Sequence, residues 1–288
     1  MLPLFLTLLF AGSASRATTP TTLTGPQRAM LELQVKLDRA HFSPGEIDAR
    51  GGSNTSAAQT AFKAAGVTAD DAPATVPYAI TEADAAGPYA PVPEDMMEQA
   101  QLPALGYASI LEALGERFHA SPALLKALNP GAGFAAGETI QVPNVARGPV
   151  AGAAKVVVSA SDRSVSVQDA SGKTIARYPA TMGSEHDPLP VGEWTIKGKA
   201  DAPVFSYNPE LFWDADPTHA KAKIAAGPNN PVGLVWIDLS KPHYGIHGTP
   251  RPENVGKTQS HGCIRLTNWD AVELGGMVKA GMPAVLQE

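Results

Sequence analysis

The 288-residue sequence predicts a mainly β domain, a β-sandwich or open barrel, over residues 153–288, preceded by small α-rich modules. Two observations carry this. From Lys155 onward apolar residues alternate with polar ones in KVVVSA, RSVSVQD, KTIARYPA, GEWTIKG, GLVWIDLS and HYGIHG, separated by Gly, Asp, Ser and Pro turns. Before that point the apolar period is helical. One helix interrupts the strands: Thr267 caps it with Asp270 three residues on, Ala271, Leu274 and Val278 line one face, and Gly281 ends it.

Residues 24–70 read as two short helices around an irregular Gly- and Asp-bearing loop. Met30, Leu31, Val35 and Leu37 approximate one helical face, and Ala58, Phe62 and Ala65 another. Residues 71–103, with Pro73, Pro77, Pro88, Pro91 and Pro93, read as a linker. Residues 104–147 read as two helices and a short strand: Leu111, Leu114 and Phe118 share a face, then Leu124, Leu125 and Leu128, with Pro130-Gly131 as the stop.

An apolar fraction of 44% is enough for two or three cores. The formal charge of −6, with no Lys/Arg cluster, lacks the basic surface that a phosphate backbone requires, so nucleic acid is not an expected partner. Residues 1–17 combine a short apolar run with small residues, the composition of a secretory signal, although no Lys or Arg precedes the run; a buried N-terminal strand is the alternative. No later stretch reaches the roughly 18 apolar residues of a transmembrane helix. An exported chain with Cys263 as its one cysteine forms no internal disulfide, so that thiol needs another reason, either chemistry or a buried apolar position.

The chemistry concentrates in YGIHGTPRPENVGKTQSHGCIRLTNWD, which brings together His247, Ser260, His261, Gly262, Cys263 and Arg265. A cysteine attacks as its thiolate, and an adjacent imidazole supplies the base. On an extended segment His261 and Cys263, two apart, face the same way. A structural zinc site with a single cysteine is a poor fit. A catalytic zinc on His243, His247 and His261 stays open, as does chance clustering of histidines, but the Ser-His-Gly-Cys run favours a nucleophile.

IHGTP at 246–250 and SHGCIR at 260–265, with GSEHDPLPVGEWTI and GLVWIDLS upstream, resemble the catalytic domain of the L,D-transpeptidase (YkuD-type) family. Residues 24–70 are similar to a small peptidoglycan-binding domain through Leu33-Gln34, Pro44-Gly45-Glu46-Ile47-Asp48, Thr55 and Phe62. Residues 104–147 resemble a lysin-motif (LysM) module through LNPG and GETIQVPN, departing from it at GYASI. The catalytic resemblance implies Cys263 as nucleophile, His247 as general base, the Gly248 carbonyl as its orienter, and the Gly262 and Cys263 N–H groups as an oxyanion hole. It leaves His261 and Ser260 to support the site or the substrate, Arg265 to hold a substrate carboxylate or pair with Asp270, and Tyr244 and Trp236 to line the cleft or the core. It implies a cofactor-free periplasmic or cell-wall enzyme that acts on peptidoglycan stem peptides and is acylated by carbapenem-type lactams. An L,D-carboxypeptidase, a lipoprotein-anchoring transferase and a non-catalytic wall-binding protein are the alternatives.

Overall fold

A computed structural model describes residues 21–288; the expected signal segment at 1–17 lies outside the described residues. Thr24 opens α1 (Gly25–Arg39) with a capping box, its hydroxyl taking the Gln27 N–H while the Gln27 side chain returns to the Thr24 N–H. The helix buries Leu31, Val35 and Leu37. Gln34 then organises the loop that leads to α2 (Ser53–Ala64). Its Nε2 donates to Asp48 Oδ1, the Arg50 carbonyl and Thr55 Oγ1, while its Oε1 accepts from the Asp48 and Ala49 N–H groups. Every polar atom of this buried side chain is thereby satisfied, which gives the Leu-Gln, Asp48 and Thr55 pattern a physical reason.

Residues 71–103 depart from the linker reading. They contain β1 (Thr75–Ala79), α3 (Glu82–Ala85) and α4 (Met96–Gln99). Strand β1 pairs antiparallel with β2 (Thr139–Pro143), from Thr75 opposite Pro143 to Ala79 opposite Thr139. Between them lie α5 (Ile110–Arg117) and α6 (Pro122–Leu128), so a strand–helix–helix–strand unit is completed across the inserted Pro-rich stretch. Pro77 lacks an N–H and suits an edge strand, so the prolines punctuate this segment without excluding order. Asn129 closes the unit, donating to the Leu125 and Gln141 carbonyls and accepting the Gln141 N–H. Leu31, Val35 and Ile47 share one core with Leu114, Leu125, Ile140 and Val142, so the two N-terminal modules are packed together.

The β domain is one eight-stranded curled sheet. In chain order it comprises β3 (Lys155–Ser159), β4 (Ser164–Gln168), β5 (Thr174–Pro179), β6 (Gly192–Asp201), β9 (Val235–Leu239), β10 (Gly245–His247), β11 (Ile264–Arg265) and β12 (Pro283–Gln287). Its spatial order is β11-β10-β9-β6-β12-β3-β4-β5. The ten-residue β6 belongs to both halves: its start pairs with β12, its remainder with β9, and a bulge at Ile196/Gly198 turns the sheet between them. A separate hairpin of β7 (Phe205–Tyr207) and β8 (Ala222–Ile224) forms an arm at one side. Helix α7 (Asn268–Met277) starts as expected, with Thr267 capping the Asp270 N–H. It stops four residues before Gly281: Gly275 and Gly276 weaken the last turn, and Gly281, at φ +85, serves the turn into β12 instead. Among the described residues no helix is long and apolar enough to cross a membrane.

A buried charge cluster holds the modules to the β domain. Arg147 reaches Asp38 of α1 at 2.5 Å and Asp270 of α7 at 3.0 Å, and also pairs with Glu273. His119 adds a 3.0 Å contact to Asp38 and stacks on Trp269 at 5.1 Å. Burial pushes the Asp38 carboxyl up, but Arg147 and His119 outweigh it and hold that carboxyl well below the usual range. Replacing Arg147 with leucine removes the cation shared by three carboxylates and leaves Asp38 only His119, Glu273 only His41 and Asp270 only the Ser43 hydroxyl. Breaking a buried pair in this way costs about 3–5 kcal/mol, so urea unfolding of Arg147→Leu should show a clearly lower midpoint, and an unchanged midpoint would mean that the cluster contributes nothing.

Candidate active site

The register of β10 and β11 assembles the site. They run parallel, with Ile246 opposite Ile264 and His247 opposite Arg265. Both isoleucines are fully buried against the core. Because strand side chains alternate, His247, Cys263 and Arg265 share the other face. The Gly245 N–H faces the Cys263 sulfur, and a Cβ on Gly245 would meet the Trp236 ring at 2.5 Å. Trp236, opposite His247 on β9, stacks on the imidazole at 5.4 Å between centroids and 16° between planes. It is half-buried and fixes the ring.

His247 Nδ1 lies 2.7 Å from the Gly248 carbonyl. A carbonyl only accepts, so Nδ1 carries the hydrogen and Nε2 is left with its lone pair. Burial, and after it the positive charge of Arg265, pushes His247 down to about 3, while the Gly248 carbonyl pulls the other way. The imidazole is therefore neutral at rest. Burial likewise pushes the Cys263 thiol up; the Gly245 N–H and Arg265 pull it down, and Asp187 pushes it up. The thiol donates to the His243 carbonyl at 3.7 Å, and His243 itself is exposed at a left-handed φ of 66. At rest the thiol's hydrogen bond goes to the His243 carbonyl and not to His247, and both the thiol and the imidazole are uncharged.

The segment before Cys263 is a bend and not the extended run expected from sequence. Gly262 has φ +91, and a Cβ on it would lie 2.9 Å from the Tyr244 ring. His261 consequently turns away from the thiol: its Nε2 binds Asp214 Oδ1 at 2.8 Å and its ring lies 5.2 Å from Phe212 and 5.9 Å from Trp213. It is not the adjacent base that the two-residue spacing suggested. Ser260 is buried, its hydroxyl donating to the Cys263 carbonyl at 2.6 Å and its N–H to Gly183 at 3.0 Å, so it ties the bend in place. Among the described residues neither the Gly262 nor the Cys263 N–H meets a protein acceptor, leaving both available to a substrate oxygen.

Arg265 does not pair with Asp270, which faces Arg147 and Ser43 on the module side. Among the described residues its guanidinium has no carboxylate within ion-pair distance. It borders a cavity of about 360 Å³ that is also lined by Thr181, Thr249 and Arg251 and roofed by Met96 and Gln99. Tyr244 is half-buried over Gly262, with Lys241 Nζ 4.8 Å from its ring. His243, His247 and His261 have different partners, and no three His, Cys, Asp or Glu side chains among the described residues converge as a metal site.

Sequence reasoning missed Asn268. Its Oδ1 accepts the Leu234 N–H and its Nδ2 donates to the Pro228 carbonyl, both at 3.0 Å. A Cβ on Gly248 would come within 2.1 Å of that Oδ1, so the residue whose carbonyl orients His247 is wedged against Asn268. Glu116 of α5, which burial pushes up to about 8, faces the same amide. The Thr-Asn pair after SHGCIRL was the available signal, but it was read only as a helix cap.

The site thus carries a thiol, an imidazole whose Nε2 is free among the described residues, and two amides that meet no protein acceptor among them. Residues 153–286 match the YkuD family, the L,D-transpeptidase catalytic domain. The chain is similar to the YkuD proteins of Bacillus licheniformis, at 29% identity over 174 residues, and Bacillus subtilis, at 30% over 173; each match covers 59% of this chain and 89% of the relative. It also resembles ErfK/SrfK of Escherichia coli, 30% identical over 134 residues, covering 44% of this chain and 41% of that one. Among solved structures it is similar to L,D-transpeptidase 3 of Mycobacterium tuberculosis with a faropenem-derived adduct, at 20% identity, TM-score 0.39 and coverage of 53% and 75%. The chain belongs to the L,D-transpeptidase family, and its β domain is that family's catalytic domain.

The protonation states make a direct prediction. Alkylation of Cys263 by iodoacetamide should accelerate with pH through and beyond the ordinary thiol range, with no plateau on the acid side. A rate already maximal at pH 6 would indicate a resting thiolate–imidazolium pair instead.

Proposed function

We propose that this chain is an exported L,D-transpeptidase that cross-links peptidoglycan stems through a thioester on Cys263. The observation that carries the reading is the free Nε2 of a neutral His247 on the thiol's side of the sheet. Cys263 attacks the carbonyl of the diaminopimelate L-centre in a donor tetrapeptide as Nε2 takes the thiol proton. The oxyanion lies against the Gly262 and Cys263 amides. Collapse breaks the C–N bond, and the imidazolium protonates the departing D-alanine. The side-chain amine of a neighbouring stem then attacks the thioester, and its proton returns through His247 to the sulfur. No cofactor enters this cycle, because the cleaved peptide bond's energy is kept in the thioester.

Arg265, without a carboxylate partner among the described residues, suits a substrate carboxylate in the cavity it borders through its planar fork. Tyr244 lies over Gly262 and His261 beside Phe212 and Trp213, Ser260 holds the bend, and Trp236 holds the base. The peptidoglycan-binding-like and lysin-like modules tether the enzyme to the wall and raise the local stem concentration. Carbapenem-type lactams acylate the same sulfur.

Intact-mass analysis after carbapenem treatment should show one adduct at Cys263, and purified sacculi should gain diaminopimelate-linked dimers. Cys263→Ala should lose both while still binding sacculi. Dimer formation by that variant would overturn the assignment.

A further inference from the structure

The turn between β9 and β10 sits on the nucleophile and carries a lysine that the acyl-transfer chemistry does not use. The Cys263 thiol donates to the carbonyl of His243 in this turn, and Tyr244 lies over Gly262, the residue bonded to Cys263. The turn is tied down. The Leu239 N–H meets the Tyr244 carbonyl at 3.1 Å, and the Tyr244 N–H meets the Lys241 carbonyl at 3.3 Å. Ser240 exchanges bonds with Thr195 of β6, its N–H to the Thr195 carbonyl at 2.8 Å and the Thr195 N–H to its hydroxyl at 3.0 Å. Lys241 therefore projects from a fixed backbone.

Two aromatic rings place its ammonium. Nζ lies 4.8 Å from the centre of the Tyr244 ring and 5.4 Å from that of Trp194 on β6. Trp194 is itself held, its Nε1 donating to the Pro190 carbonyl at 2.9 Å. Ring faces attract a cation and restrain the long lysine stem, but they give its three N–H donors no oxygen. Among the described residues no carboxylate lies within ion-pair distance of Nζ, whereas Lys197 and Lys199 of β6 pair with Asp238 and Asp201. Lys241 and both rings are half-buried, and Nζ stays open to solvent. In a chain of net charge −6 this ordered, unpaired cation is no part of a general basic surface. A ligand that satisfies it must bring an anionic oxygen.

We propose that Lys241 is a specificity-determining residue that binds a carboxylate of a stem peptide beside the thiol. The inference rests on the transpeptidase reading. Arg265 takes one carboxylate through its planar fork, and Lys241, a point charge held between two rings, takes another. The two cations stand on different elements, Lys241 in the β9–β10 turn and Arg265 on β11. Stem peptides carry more than one carboxylate, so the enzyme reads them at two points. Donor and acceptor stems both offer such groups, and the two half-reactions tell them apart.

The test uses the full-length protein and stem peptides whose carboxyls are amidated one at a time. Acylation of Cys263 by the donor and transfer to the acceptor are followed separately. In wild type, kcat/KM should fall at least fivefold on amidation at each of at least two different carboxyls. In Lys241→Met, which keeps an unbranched side chain against the rings, the unmodified stem should lose at least fivefold. One of the wild-type penalties should vanish in that variant, while the one that belongs to Arg265 remains; Lys241→Arg should keep both. A penalty that vanishes in acylation assigns the carboxylate to the donor, and one that vanishes in transfer assigns it to the acceptor. Wild type sensitive at no more than one carboxyl, a comparison that needs no variant to fold, overturns the inference. So do penalties that all persist in Lys241→Met. Either result leaves acyl transfer intact, whereas failure of wild type to be acylated by any stem overturns the function itself.

Discussion

The site depends on the pairing of two short parallel strands. With Ile246 and Ile264 opposite each other in the core, Cys263, His247 and Arg265 are forced onto the other face. A slip of one residue would drive the thiol inward and an isoleucine into the mouth. Little else needs to be specified by side chains, because the groups that orient the chemistry are main-chain: the Gly248 carbonyl at His247, the His243 carbonyl at the thiol, and the Gly262 and Cys263 amides. This explains the density of glycine around the site. Gly245, Gly248 and Gly262 each lie where a Cβ would collide with Trp236, Asn268 or Tyr244.

Burial then sets the electrostatics. A buried imidazole near a guanidinium stays neutral, and a buried thiol stays protonated, so the resting site stores no ion pair. Charge appears only as the thiol is deprotonated, and the preorganised amides and Arg265 are placed to meet it. The buried contact of Arg147 with Asp38 and Asp270 sits on α7, whose first residue, Asn268, braces Gly248. The N-terminal modules are thus joined to the element that braces the Gly248 carbonyl beside His247.

Much of this was legible in the sequence. The period-two alternation marks the strands because one face of each is buried, and Thr267 with Asp270 marks the start of α7 because a cap is a local interaction. IHG and SHGC mark the family whose catalytic domain residues 153–286 match. What failed was non-local. Strand β1 was hidden because its partner β2 lies sixty residues on, across a proline-rich insertion. The extended geometry expected from His261 to Cys263 gives way to a bend because Gly262 sits at positive φ. The pairing of Arg265 with Asp270 was excluded only by the interface that places Asp270 against Arg147.

The account turns on the state of one ring. Nitrogen-15 NMR of the labelled protein should show His247 protonated at Nδ1 and bare at Nε2 from pH 5 to 8, with no titration across that range. A doubly protonated His247 at pH 6, or a hydrogen on Nε2, would contradict it.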